Sequence, residues 1–261
     1  MTNEPSDGGH ARQWDDHWSR YSTATRLNPA QAFRRRLIAT LLGQVQHGSI
    51  LDVGCGSGDL LAWLKMRFPN ARFAGIDQSV TGLKVAEEDL PNAIFAVCDL
   101  EADAPDVDNL AGWASHAICS EVLEHADNPV RILTGARKFL KPGGRLVVTV
   151  PGGPMSAFDR QIGHRRHYTA AKLQAEMEQA GLDVRKATGA GFPFFNLYRL
   201  VVILRGERLA DDIDGTPGLL ARCIMAMFRI LLGFTFLHGT WGWQIAAVGI
   251  NPVEPSQAKT P

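Results

Sequence analysis

The chain is poor in cysteine. Its 261 residues hold four, Cys55, Cys98, Cys119 and Cys223, scattered and with no C-x-x-C pair. That spacing excludes a disulfide framework and a cysteine-based zinc site. Cys98 and Cys119 lie in apolar runs, where a small buried thiol is the expected role. Net charge is missing as well, because 27 basic residues balance 27 acidic ones. A nucleic-acid partner needs a basic surface, so none is expected. No clean apolar run reaches the roughly 20 residues that span a bilayer. Leu219 to Leu237 comes near it but is interrupted by Arg222 and Arg229. The first ten residues are polar and hold no apolar stretch of the kind a secretory leader carries, so a cytoplasmic protein is expected. Internal repeats are absent too.

What the chain does have is alternation. Apolar strand patterns at 50–53, 72–76, 93–97, 115–119 and 145–150 are interleaved with helical ones at 58–67, 79–89, 128–140 and 169–180. Such alternation predicts an α/β fold with a doubly wound, mostly parallel sheet and right-handed crossovers. Lys141-Pro142-Gly143-Gly144 reads as a helix stop and turn. Residues 11–46 read as helices. Trp14, Trp18 and Tyr21 recur at helical spacing, and Phe33, Leu37, Leu41 and Leu42 do the same. The alternation breaks at 196–237. Leu197 to Leu204 is apolar apart from Arg199, and Arg222 and Arg229 are seven apart, on one helical face. Two roles fit this segment: an amphipathic helix in a membrane interface, or a buried helix covering a substrate cavity. At this length one α/β domain with additions is expected. It divides into an N-terminal helical cap with a disordered start (1–46), a core (47–195), an apolar helical insertion (196–240), and a last strand, Gln244 to Gly249, with its tail (241–261).

The densest signal is Leu51-Asp52-Val53-Gly54-Cys55-Gly56-Ser57-Gly58-Asp59. It is a strand, a tight glycine turn and a helix start. Glycine there permits positive φ and close approach of a ligand to the backbone. A dinucleotide fingerprint reads G-x-G-x-x-G, whereas this loop reads G-x-G-x-G and is followed by an acid. An acid at the helix start is a poor neighbour for a pyrophosphate. Asp77 ends the second strand, where a carboxylate can take both ribose hydroxyls. Asp99 ends the third, where it could accept from an adenine amine with Leu100 against the ring. Asp52, Asp77 and Asp99 thus close three consecutive strands, at the edge where open α/β sheets bind ligands.

These motifs resemble those of the class I S-adenosylmethionine-dependent methyltransferases. Leu51 to Gly58 is similar to the family's first motif, Gly75-Ile76-Asp77-Gln78-Ser79 to its ribose motif, and Cys98-Asp99-Leu100 to its adenine motif. Ser120-Glu121-Val122-Leu123-Glu124-His125-Ala126-Asp127-Asn128-Pro129 resembles the fourth motif of a ubiquinone-methyltransferase-like, type 11-like subset. The segment Leu140 to Pro151 resembles the lead into the fifth strand. The resemblance covers roughly 45–185 and the last strand. It implies a Rossmann-like sheet of seven strands with the last antiparallel, and S-adenosyl-L-methionine as cofactor. The glycine-loop contacts would be Asp52, Gly54, Cys55, Gly56 and Gly58. Asp77, Gln78, Asp99, Leu100 and Glu121 would complete the set, with Tyr21 capping it.

Three histidines are candidates for the chemistry: His125 after the fourth strand, and His164 and His167 after the fifth. An imidazole titrates near neutrality and suits a general base; the alternative is that His125 only holds a loop. Arg165, Arg166 and Tyr168 share the Gly163-His164-Arg165-Arg166-His167-Tyr168 run, which resembles one in glycan- and lipid-modifying methyltransferases. Paired guanidiniums suit an acceptor anion; a solvated basic loop is the alternative. Glu121, His125, His164 and His167 have no diagnostic ligand spacing, so no metal is expected. The expected function is O-methylation of a small or lipid-linked acceptor, such as a glycan lipid, a quinone precursor or a natural product. Contact with the inner face of a membrane would run through 196–237. The rivals are a methyltransferase of a soluble metabolite with the apolar helices as lid, a non-catalytic nucleoside-binding module, and a nicotinamide-dependent oxidoreductase.

Overall fold

A computed structural model of the protein describes residues 28–101, 107–205 and 219–253. Tyr21, Trp14 and Trp18, and with them most of the expected N-terminal cap, lie outside the described residues. Seven strands form one sheet in the order β3-β2-β1-β4-β5-β7-β6. They are β1 Ser49–Val53, β2 Arg72–Asp77, β3 Ile94–Val97, β4 Ala114–Ser120, β5 Leu140–Pro151, β6 Asp183–Ala190 and β7 Gln244–Ile250. Strand β7 runs antiparallel to both β5 and β6 and lies between them, so the sheet edges are β3 and β6. The expected Rossmann-like, mostly parallel seven-stranded sheet is therefore present.

Helices cover both faces. The described ones are α1 Pro29–Leu42, α2 Asp59–Arg67, α3 Val80–Asp89, α4 Pro129–Phe139, α5 Ala157–Gln161, α6 Ala170–Gln179, α7 Phe194–Arg205 and α8 Leu219–Leu231. Phe33, Leu37, Leu61, Leu64 and Leu83 of α1 to α3 pack with Ile50, Ile118 and Val147 on one face. On the other, Leu133, Phe139, Leu173 and Met177 of α4 and α6 pack with Leu51, Val53, Cys119 and Val148. Burial on both faces explains why β1 is buried at every position, Asp52 included.

Local chemistry sets the helix starts. Asn28, Ser79, Asn128, Ser156 and Thr169 each accept a backbone N–H of the first turn they precede. Two details depart from the sequence reading. Lys141 to Gly144 belongs to β5 as an irregularity in its pairing with β4, and Gly143 has φ +75°. Strand β6 carries Asp183, Arg185 and Lys186, and its first half is largely exposed, so its apolar pattern is weak; an edge strand needs no more.

Leu37 is fully buried on α1. Leu37→Ala is expected to cost about 2–5 kcal/mol, read as a lower denaturant midpoint in urea unfolding; a loss within error would mean that α1 is not part of the cooperative core.

Candidate active site

Strands β1, β2, β4 and β5 are mutually parallel, and their carboxyl ends meet at one edge of the sheet. Because β7 is antiparallel, its first residue, Gln244, pairs with Pro151 and reaches the same edge. After β1 the chain turns sharply. Gly54 N and Cys55 N both donate to the Ile76 carbonyl, at 2.8 and 3.1 Å, and Gly58 N donates to Cys55 O at 2.9 Å. Gly54, Gly56 and Gly58 have φ of +80°, +51° and +72°. A Cβ on Gly54 would stand 2.5 Å from Val122 Cγ2, so this glycine serves close packing against the β4 turn as well as backbone freedom.

Asp77 braces that loop. Gly56 N donates to its Oδ2 and Ser79 N to its Oδ1, both at 2.8 Å. Asp52 is 3 % exposed. Burial, with Asp77 adding to it, pushes its carboxyl up to about 7. Burial also holds the Cys55 thiol well up, and its sulfur packs against Gly75, where a Cβ would lie 2.6 Å away. Gln78 is half-buried, Asp99 is exposed and accepts from Glu101 N, and Leu100 packs on the core. The residues expected around a cofactor therefore gather at one edge, apart from Tyr21. A donor carrying a sulfonium and no phosphate matches this set, since its acids would repel a phosphate.

Glu121 follows β4 with φ +58°, a conformation that non-glycine residues avoid and that recurs at functional sites. Gln244 Nε2 donates to it at 2.9 Å, and Arg34 Nε of α1 lies 3.5 Å from its other oxygen.

Beyond Glu121 a second group closes in. Glu124 is fully buried, and both its oxygens are without a hydrogen-bond partner. Burial, then Glu121, hold its carboxyl well above the usual carboxylate range. A carboxyl oxygen of Glu124 and ring nitrogens of His125 and His164 lie within 4.8 Å of one another, a donor set able to hold an imidazole-preferring divalent cation. His125 and His164 meet edge to face at 4.8 Å, and His164 Nδ1 is 3.3 Å from His167 Nε2. Burial and then His125 hold His164 down at about 3; burial lowers His167 too, against the Gly153 carbonyl at 3.0 Å. The structure thus brings the three candidate histidines together.

Arg165, Arg166 and Tyr168 each have protein partners. Arg165 pairs with Asp127, and Arg166 donates to the carbonyls of Ala126 and Asp127. Tyr168, 2 % exposed, donates from its hydroxyl to the Leu123 carbonyl. All three staple the loop after β5 to the turn after β4. Two participants escaped the sequence reading. Asp159 is legible as the fourth residue of a Ser156-x-x-Asp159 capping box. Arg199 stood out only as a lone charge in an apolar run.

A family model for the methyltransferase domain matches residues 26–187. The chain belongs to that family. It is an S-adenosylmethionine-dependent methyltransferase. A ubiquinone biosynthesis O-methyltransferase of Marinobacter nauticus is 27 % identical over 210 residues, covering 73 % of this chain and 85 % of its own. A trans-aconitate 2-methyltransferase of Deinococcus radiodurans is 29 % identical over 153 residues, 58 % of this chain and 54 % of its own. Among solved structures, the complex between the Haloferax volcanii Trm112 methyltransferase activator and the putative methyltransferase shares the fold with a TM-score of 0.63 at 19 % identity, over 94 % of this chain and 98 % of that one.

Two outcomes test the methyltransferase's cofactor edge. Gly54→Ala should cost at least about 1 kcal/mol through its positive φ and weaken S-adenosylmethionine binding in calorimetric titration, while adding Val122→Ala should recover part of the loss. Asp52 also makes a pH statement. Its folded pKa of about 7 exceeds the unfolded one, so the folded state holds the proton more tightly, and stability falls as pH rises from about 4 to about 7. Asp52→Asn should flatten that slope in urea titrations of the ligand-free protein.

Proposed function

We propose that the protein methylates a hydroxyl of a small or lipid-linked acceptor, with His125, His164 and His167 on the acceptor side of the cofactor. The observation that carries this reading is the buried group after β4, where Glu124 and the rings of His125, His164 and His167 stand together. Asp52, the glycine loop, Asp77, Gln78, Asp99, Leu100, Glu121 and Tyr21 would hold S-adenosylmethionine, which supplies an electrophilic methyl on a sulfonium. His125, half-buried at the mouth of the group, takes the hydroxyl proton on a ring nitrogen as the carbon–sulfur bond breaks and the carbon–oxygen bond forms. The turn after β4 and the loop after β5 hold the imidazole in place and keep water from the base.

An amphiphilic acceptor fits the insertion. Phe192, Ile230, Phe234, Phe236 and Trp241 are all exposed, beside Arg222 and Arg229. Such a surface suits a quinone precursor or a glycan lipid at the inner face of a membrane, and a relative named as a ubiquinone biosynthesis O-methyltransferase supports that reading. No helix among the described residues is long and apolar enough to cross a membrane. A soluble acceptor is the second reading. Tyr198 packs edge to face on Phe228 at 5.4 Å, and Phe195 lies 5.2 Å from Phe33, so part of the insertion turns inward like a lid.

A labelled-methyl assay against a lysate split into lipid and aqueous pools separates the two, and label confined to the aqueous pool would sink the lipid reading. With the acceptor in hand, His125→Asn should lower kcat about 10²–10⁴-fold with little change in cofactor affinity; a variant of unchanged kcat would remove His125 as the base.

A further inference from the structure

Glu124 lies in the interior with neither carboxyl oxygen bonded. A carboxyl taken out of water without a partner costs free energy, and in a folded protein it calls for an unseen water or ion. The backbone around it is fixed. Arg165 N donates to the Glu124 carbonyl at 2.8 Å, and Arg166 Nη2 donates to the Ala126 carbonyl at 2.8 Å. These bonds clamp the residue after His164 to the residue before His125. They bring a Glu124 oxygen and ring nitrogens of His125 and His164 within 4.8 Å of one another. One carboxylate and two imidazoles at that separation suit a transition-metal ion. A second set, Asp159, His164 and His167, shares His164 but is already taken. Arg199 Nη2 donates to both Asp159 oxygens, at 3.0 and 2.9 Å, and Ser156 N and Oγ donate to Oδ2 at 2.7 and 2.8 Å. A guanidinium that close repels a cation.

We propose that Glu124, His125 and His164 hold a divalent transition-metal ion of the imidazole-preferring kind, such as Zn²⁺. The neighbouring cations leave the place to it: Arg165 pairs with Asp127, and Arg166 is turned to the carbonyls of Ala126 and Asp127. His167 Nε2 at 3.3 Å and Asp159 Oδ1 at 3.9 Å stand beside His164 Nδ1, as outer partners stand beside metal-binding imidazoles. Three protein ligands leave a position open on a four-coordinate ion. An acceptor hydroxyl in that position would lose its proton more easily. The site goes beyond the proposed function and does not depend on His125 as base. The His125 ring nitrogen takes either the ion or the proton, so loaded and ion-free protein would release the hydroxyl proton by different routes.

The test uses the full-length protein and needs no acceptor. Protein stripped with a chelator is titrated with Co²⁺, read by visible absorption, and with Zn²⁺ in a calorimeter. The wild type should take one ion per chain, and its thermal midpoint should rise as the ion is added. Glu124→Gln keeps the shape of the side chain and removes the ligand charge. It should bind at least about 10-fold more weakly, since loss of even an outer partner costs that much. His167→Asn, which removes only the second set, should still take one ion. Stripped wild type without saturable binding overturns the proposal, and so does Glu124→Gln that binds as tightly as the wild type. Should Glu124→Gln fail to fold, His164→Asn carries the same test. Ion binding is read without methyl transfer, and the base role through kcat of His125→Asn in chelator-treated protein. This inference and the proposed function can therefore fall separately.

Discussion

Two bonds from one carboxylate organise the cofactor edge. Asp77 closes β2 and accepts from Gly56 with one oxygen and from Ser79 with the other. The first bond holds the glycine loop over the end of the sheet; the second fixes the start of α3. Backbone N–H groups bound to an ionised acceptor make strong, short hydrogen bonds. The loop can then keep three positive-φ glycines in one arrangement. Val122 packs under Gly54, so the same loop also sets where the turn after β4 lies, and with it Glu121 and Glu124.

The acids at this edge differ in environment more than in chemistry. Asp77 is braced by backbone donors, Asp99 is open to solvent, and Asp52 is buried with its carboxyl lifted to about 7. Glu124 is buried with its carboxyl held well above the usual carboxylate range, while the Arg199 bond brings the carboxyl of Asp159, equally buried, below it. Burial alone raises a carboxyl, and a bonded guanidinium reverses the sign. Opposed protonation states of neighbouring groups are the usual mark of acid–base roles. Here the two groups lie on the turn after β4 and on α5 after β5.

Legibility in the sequence followed locality. Strands β1, β2 and β4 were readable because they are largely buried and mainly apolar, interrupted by Asp52 in β1 and by Ser115 and His116 in β4. Helix starts at Asn128 and Thr169 were readable because capping is a contact of three residues' reach. Strand β6 was not, since an edge strand half exposed to solvent carries charges at core-like spacing. Arg165, Arg166 and Tyr168 looked like an anion site because clustered cations suggest one. Their partners, Asp127 and the carbonyls of Leu123, Ala126 and Asp127, lie about 40 positions back, on a turn that only the fold brings near.

What the sequence by itself determined is the donor half of the protein: a G-x-G-x-G turn between strand and helix, with acids at three strand ends, is local chemistry that leaves little choice of ligand. The acceptor half was decided by tertiary structure. His125, the Asp159–His167 stretch and Arg199 come from three separate segments, and the pairings between them do not follow from spacing along the chain. Their protonation depends on burial and on which charge stands opposite, and both exist only once α7 is laid across the end of the sheet.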